Sequence, residues 1–93
     1  MTGGKPVRWS LHAGEWLYRR GVDGEEARLA VIAPEFVVRA DWGRQVHMRR
    51  SVDSSRGKTM LVRVILEETA TELVVITVYH TSKVDKYLRG LVR

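Results

Sequence analysis

The chain contains no cysteine, which excludes disulfides, thiolate nucleophiles and cysteine-ligated zinc together. Its stability has to come from packing. No stretch approaches the ~20 apolar residues of a membrane-spanning helix. Met1 to Pro6 has one lysine and no apolar run, so it reads as neither a signal peptide nor an anchor. A cytoplasmic location without a membrane partner is therefore expected. Internal repeats, low-complexity tracts and phosphate-cradling glycine loops are also missing. The three histidines, His12, His47 and His80, lack ligand-spaced carboxylates, so neither a metal nor another cofactor is expected.

What is present suits one small folded domain. The 93 residues are close to the roughly 100 of a compact domain, and dividing them would leave two cores too small to stand alone. A hydrophobic content of 44% is ordinary for a globular chain. The reading is a flexible stretch over 1–6 followed by a single domain over 7–93. Sixteen lysines and arginines face eleven acidic residues, for a net charge of +5. Twelve of the sixteen cations are arginine, the residue suited to bidentate phosphate contacts. Such a balance favours a polyanion partner, nucleic acid first. An anionic membrane surface or an acidic protein is the alternative, and plain solubility is the bland one.

The pattern along the chain predicts an α+β fold, with two N-terminal helices packed on a four-stranded antiparallel sheet and a short C-terminal helix. Val7 to Leu11 alternates like a short edge strand. His12 to Arg20 reads as a helix with Ala13, Trp16, Leu17 and Arg20 on one face, and Gly21 is placed to end it. Asp23 and Glu26 have capping-box spacing for a second helix, which carries Ala27, Ala30 and Val31 inward and stops at Pro34. Phe36 to Arg39, the turn Asp41-Trp42-Gly43, and Gln45 to Arg50 read as a hairpin, and Ser51 to Lys58 as a mobile loop. Met60 to Leu66 and Leu73 to His80 are the strongest strands, and Ser82 with Asp85 caps a helix over Lys83 to Leu88.

Strand alternation then sorts the residues by face. Val62, Val64, Leu66, Val74, Ile76 and Val78 form an apolar set expected against the helices. Arg63, Thr77 and Tyr79 take the other face, joined by Arg39 and by one of Arg49 and Arg50. That surface suits phosphate contacts with an aromatic ring stacking a base. It is equally the ordinary solvated face of an antiparallel sheet. His12 shares a helix face with Glu15 and Arg19, where it reads either as a proton shuttle or as a helix-start residue bonded to the backbone. His47 and His80 are weaker candidates, His80 as a core-edge histidine. The run from Thr77 to Tyr87, with Lys83 and Lys86, is either an anion site at a helix start or a capped helix with solvated lysines.

Four segments carry a family resemblance: Ser10-Leu11-His12-Ala13-Gly14-Glu15, Arg19-Arg20-Gly21-Val22, Ala33-Pro34-Glu35 and the strand end TVYHTSKVDKY. They resemble a bacterial domain-of-unknown-function family grouped with the barnase, colicin and RelE-like RNase toxins, over Val7 to Leu88. The resemblance implies metal-independent endoribonuclease activity in a toxin-like or RNA-processing protein. In that chemistry the RNA 2′-hydroxyl attacks the adjacent phosphate with a base, an acid and a cation in attendance. His12, Arg63, and Thr77 or Tyr79 would take those roles. Arg19, Arg39, Arg49, Arg50, Lys83 and Lys86 would hold the RNA. The partners implied are RNA or the ribosome, and an acidic antitoxin protein. One departure is Trp16, where the family pattern has an arginine after the helical glutamate. The competing readings are a noncatalytic RNA-binding or protein-interaction module of the same fold, and a structural adaptor whose basic face meets an acidic partner.

Overall fold

Ser10 begins the helical part of the molecule by ending a strand. Its backbone amide donates to Val75 O at 3.2 Å and its hydroxyl accepts from the Ala13 amide at 3.1 Å, so one residue closes β1 and caps α1. The computed structural model describes residues 4–55 and 57–91. In order they form β1 (Val7–Trp9), α1 (Leu11–Arg19), α2 (Gly24–Ile32), β2 (Phe36–Arg39), β3 (Arg44–Asp53), β4 (Lys58–Glu68), β5 (Leu73–Thr81) and α3 (Val84–Leu88). The α+β class holds. None of the described helices is long and apolar enough to cross a membrane.

The sheet differs from the expected four antiparallel strands. It has five, in the order β1-β5-β4-β3-β2, and β1 lies parallel to β5. Three alternating residues mark β1 as a strand but say nothing of its partner or direction, which are set by which edge of the sheet is free. Two residues ahead of the expected domain start are also held: Lys5 Nζ donates to Glu68 Oε2 at 2.6 Å and to Thr69 O at 2.8 Å, and Pro6 O accepts from the Leu73 amide. Residues 1–3 lie outside the described part.

α1 and α2 cover one face of this sheet. Ala13, Ala27, Ala30 and Val31 press against Val62, Val64, Leu66, Leu73, Val75 and Val78, with Trp16 and Leu17 at the margin. Alanine at three of the four helix positions lets the helices sit close to the branched side chains of the sheet. Two residues expected in this layer are not there. Ile65 pairs with Thr77 and Leu66 with Val75, leaving Ile76 as an unpaired bulge residue. One extra residue inverts the alternation on its N-terminal side, so Leu73 and Val75 face the helices, while Val74 takes the parity of Glu67 and Arg63.

The other face is not open, as expected, but half covered. Val46, Met48, Leu61 and Leu88 are buried there, flanked by Phe36, Ile65, Val84 and Tyr87, so α3 roofs part of the sheet. The spacing of Ser82 and Asp85 does not cap α3; Lys83 holds the cap position without a side-chain bond, and its amide donates to Thr81 Oγ1 at 3.0 Å. The loop expected over Ser51 to Lys58 is also shorter. β3 and β4 remain paired out to Asp53 and Lys58, and Asp53 Oδ1 accepts from both the amide and the hydroxyl of Ser55 in a tight turn. Polar composition alone suggested a loop, but pairing to a long apolar strand carried β3 onward.

Candidate nucleic-acid interface

β1 accompanies β5 only over Leu73 to Val75 before the chain turns into α1. From Ile76 onward β5 has β4 on one side and no strand on the other among the described residues. Such an edge is a liability unless it is guarded. Arg20, at the C-cap of α1, reaches over it: its Nη1 donates to Val78 O at 3.1 Å and stands 3.5 Å from Thr77 Oγ1.

That reach places Arg20 among aromatic rings. Its guanidinium carbon is 3.8 Å from the centroid of Trp16, one helical turn back, and 5.7 Å from that of Tyr79. Tyr79 pairs across the sheet with Arg63, whose guanidinium is 5.2 Å from the Tyr79 ring and 4.0 Å from the Tyr87 ring. Lys86 closes the series, 5.4 Å from Tyr87. Trp16, Arg20, Tyr79, Arg63, Tyr87 and Lys86 thus alternate ring and cation around the unpaired edge, from the helix side to the far face. Each contact is worth about 0.5–1 kcal/mol when exposed and more when desolvated. Arg63 is half-buried, with Nε 3.4 Å from Met48 Sδ. Burial draws its pKa down from the usual arginine value, with Tyr87 opposing that fall.

The structure joins part of the set read from sequence. Arg63, Thr77 and Tyr79 do share the face opposite α1 and α2, and the exposed Lys86 flanks them through Tyr87; Lys83 is exposed just before α3. His12 is not with them. It is the second residue of α1, exposed, near the level of Val75. Val75 to Tyr79 is about 13 Å of strand, and the sheet lies between α1 and Arg63. Arg19 is exposed on α1, 3.9 Å from Glu15. Arg39 pairs with Gln45 and stands on the helix side, contrary to expectation. Arg49 is on the helix side too, where Nη1 donates to Ala33 O at the end of α2. Arg50 has the expected face, but Glu35 engages its guanidinium at 3.1 Å through both carboxylate oxygens. Register errors explain Arg39: no alternation within a four-residue strand tells which of its sides meets the helices.

Three members of the series, Trp16, Arg20 and Tyr87, lie outside the site residues expected from sequence. A usable signal existed in the i,i+4 spacing of Trp16 and Arg20, which places ring and cation one above the other. Helical period puts Arg20 on the core face of α1, and nothing local shows that this face ends at an open strand.

The two remaining histidines behave differently from each other. His80 is half-exposed and lines a shallow groove of ≈ 550 Å³ with Arg20 and Tyr79. His47 is 1% exposed and lies in a row of polar side chains on the helix side. Its Nδ1 is 3.1 Å from Val31 O and its Nε2 3.1 Å from Gln45 Oε1, while Gln45 Nε2 donates to Glu68 Oε1 at 3.0 Å. Burial lowers the His47 pKa below the usual value of 6.5, the carbonyl contacts and Glu68 opposing it. Among the described residues, no three of His, Cys, Asp and Glu gather as metal ligands.

Comparison with protein-family models, curated proteins and solved structures finds no match to this chain.

Proposed function

We propose that this chain is a small RNA-binding module that takes a single strand along the unpaired edge of β5. The observation that carries this reading is the alternating series of rings and cations from Trp16 to Lys86. Guanidiniums held by stacking keep N–H groups free for phosphate oxygens at little entropic cost. Half-exposed rings beside them offer stacking worth about 1–3 kcal/mol per base, and the hydroxyls of Thr77 and Tyr79 suit a ribose 2′-hydroxyl. The test is fluorescence anisotropy with a labelled single-stranded RNA across a salt series. Three phosphate contacts, from Arg20, Arg63 and Lys86, give a slope of log K against log salt of about −2. Arg63→Ala should flatten the slope and weaken binding, while His12→Ala should leave it unchanged. Salt-independent binding, or none at low salt, would sink the proposal.

The groove lined by Arg20, Tyr79 and His80 favours a second reading, metal-independent cleavage. There the 2′-oxygen bonds to phosphorus as the bond from phosphorus to the 5′-oxygen breaks. His80 would take the 2′-proton, Tyr79 would give a proton to the departing 5′-oxygen, and Arg20 would balance charge on the phosphoryl oxygens. RNA incubated with the protein in a chelator, alone and with ribosomes, should then yield 2′,3′-cyclic phosphate ends that His80→Ala abolishes and His12→Ala does not. Intact RNA in both incubations leaves binding as the function.

A further inference from the structure

A second concave region, away from the uncovered part of β5, lies on the helix side of the sheet beyond the end of α2. It is a cleft of ≈ 610 Å³, within the range of small-molecule sites. Leu73 at its rim is about 20 Å along β5 from Tyr79 and on the opposite face, so the cleft is separate from the proposed RNA surface.

Its walls divide by chemistry. Ile32, Pro34 and Val37 line one part, and Ile32 and Val37 are 43% and 52% exposed, which leaves apolar surface open to water. The floor is the row from His47 through Gln45 to Glu68. Gln45 Nε2 donates to Glu68 Oε1, and its Oε1 stands 3.1 Å from His47 Nε2. Glu68 is in turn committed to Lys5 at 2.6 Å. One lining cation is left over: Arg39 has no ion pair or hydrogen bond among the described residues, although its charge reaches Glu68. Counting Lys5 and Arg39 against Glu68, the mouth carries one uncompensated positive charge beside an apolar wall.

We propose that this cleft binds a small organic anion, its carboxylate or phosphate head on Arg39 and a compact apolar body against Ile32, Val37 and Leu73. Both parts are needed. Arg39 is an exposed guanidinium whose single-charge contact with a simple ion is weak in water, and the apolar wall adds contact area that a bare ion cannot use.

The test is a two-dimensional amide NMR titration of the whole chain with benzoate and phenyl phosphate as probes, beside inorganic phosphate as head alone. Saturable shifts at Gln45, Leu73 and the residues of β2 are expected at about millimolar probe, with phenyl phosphate and benzoate distinguishing which head is preferred. Arg39→Ala should weaken the probe about tenfold or more, and Val37→Asp, which puts a carboxylate into the apolar wall, should abolish it; both positions are exposed, and the same spectra report that the fold is kept. Arg63→Ala should have no effect. Absence of saturation with either probe overturns the proposal. So does inorganic phosphate binding as tightly as the probes, or affinity that survives Arg39→Ala.

Discussion

Arg20 donates to Val78 O at 3.1 Å, so a side chain from the end of α1 occupies a main-chain acceptor on the edge that β1 leaves uncovered. The same guanidinium stacks on Trp16 at 3.8 Å, and this fixes it there. Removing it with Arg20→Ala should cost about 1–2 kcal/mol, from one part-buried hydrogen bond and one half-exposed cation–π contact. It should also promote concentration-dependent association through the freed edge. Arg20→Lys should recover little, because an ammonium lacks the planar fork that stacks and donates at once. Denaturant melts give the stability and sedimentation gives the association; a monomeric Arg20→Ala protein of unchanged stability would refute the guarding role.

Glu35 performs the reciprocal task at the other side of the sheet. Where β2 stops covering β3, one of its carboxylate oxygens accepts from the Arg50 amide at 2.7 Å, and both oxygens hold the Arg50 guanidinium. These contacts keep the Glu35 carboxyl below the usual carboxylate range, the Arg50 side chain first among the causes. Glu35→Ala should lower stability by about 1 kcal/mol, since a backbone donor loses its partner. Glu25, whose exposed carboxylate engages the Arg28 side chain, should be replaceable by alanine without measurable loss. Chemical denaturation of the two variants side by side decides this; equal losses would mean that the edge amide contributes nothing.

His47 sets the expected pH dependence. Its folded pKa lies below 6.5, with burial the main cause. The unfolded chain therefore binds the proton first, and stability that is complete above about pH 6.5 is lost as pH falls toward the folded value. The lowered carboxyls of Glu25, Glu35 and Glu68 act in the same direction but only below their ordinary value near 4.5. Any loss between about pH 6.5 and 5 should thus be removed in His47→Gln. Melts of both proteins across that interval test it, and a slope retained in the variant would assign the titration elsewhere.

Trp42 sits at φ 65°, a left-handed conformation at the β2–β3 turn, and is 88% exposed. A bulky side chain there is strained and buries little in return. Trp42→Gly should stabilise the fold by about 1 kcal/mol, the order of the left-handed penalty, and raise Tm. A fall in Tm would show that the ring makes contacts worth more than the strain.

How much of this was legible beforehand depends on whether the signal is local. The Val, Ile and Leu runs of β4 and β5 and the Ala27, Ala30, Val31 stripe of α2 identify their own elements, because each residue's period is set by the backbone that carries it. The shared face of Arg63, Thr77 and Tyr79 followed from alternation alone, since all three lie on the C-terminal side of the bulge or on the strand facing it. Beyond Ile76 the same alternation misplaced Val74 and missed Leu73 and Val75, because a bulge is a relation between two strands. The parallel pairing of β1, the side taken by Arg39 and the roof formed by α3 were likewise decided by tertiary structure. So was the separation of His12 from Arg63: they lie on opposite sides of the sheet because β1 ends at Trp9 and sends α1 across the helix face. Sequence determined which residues are cations and rings; only the uncovered length of β5 determined that Arg20, Tyr79 and Arg63 would stand in a row.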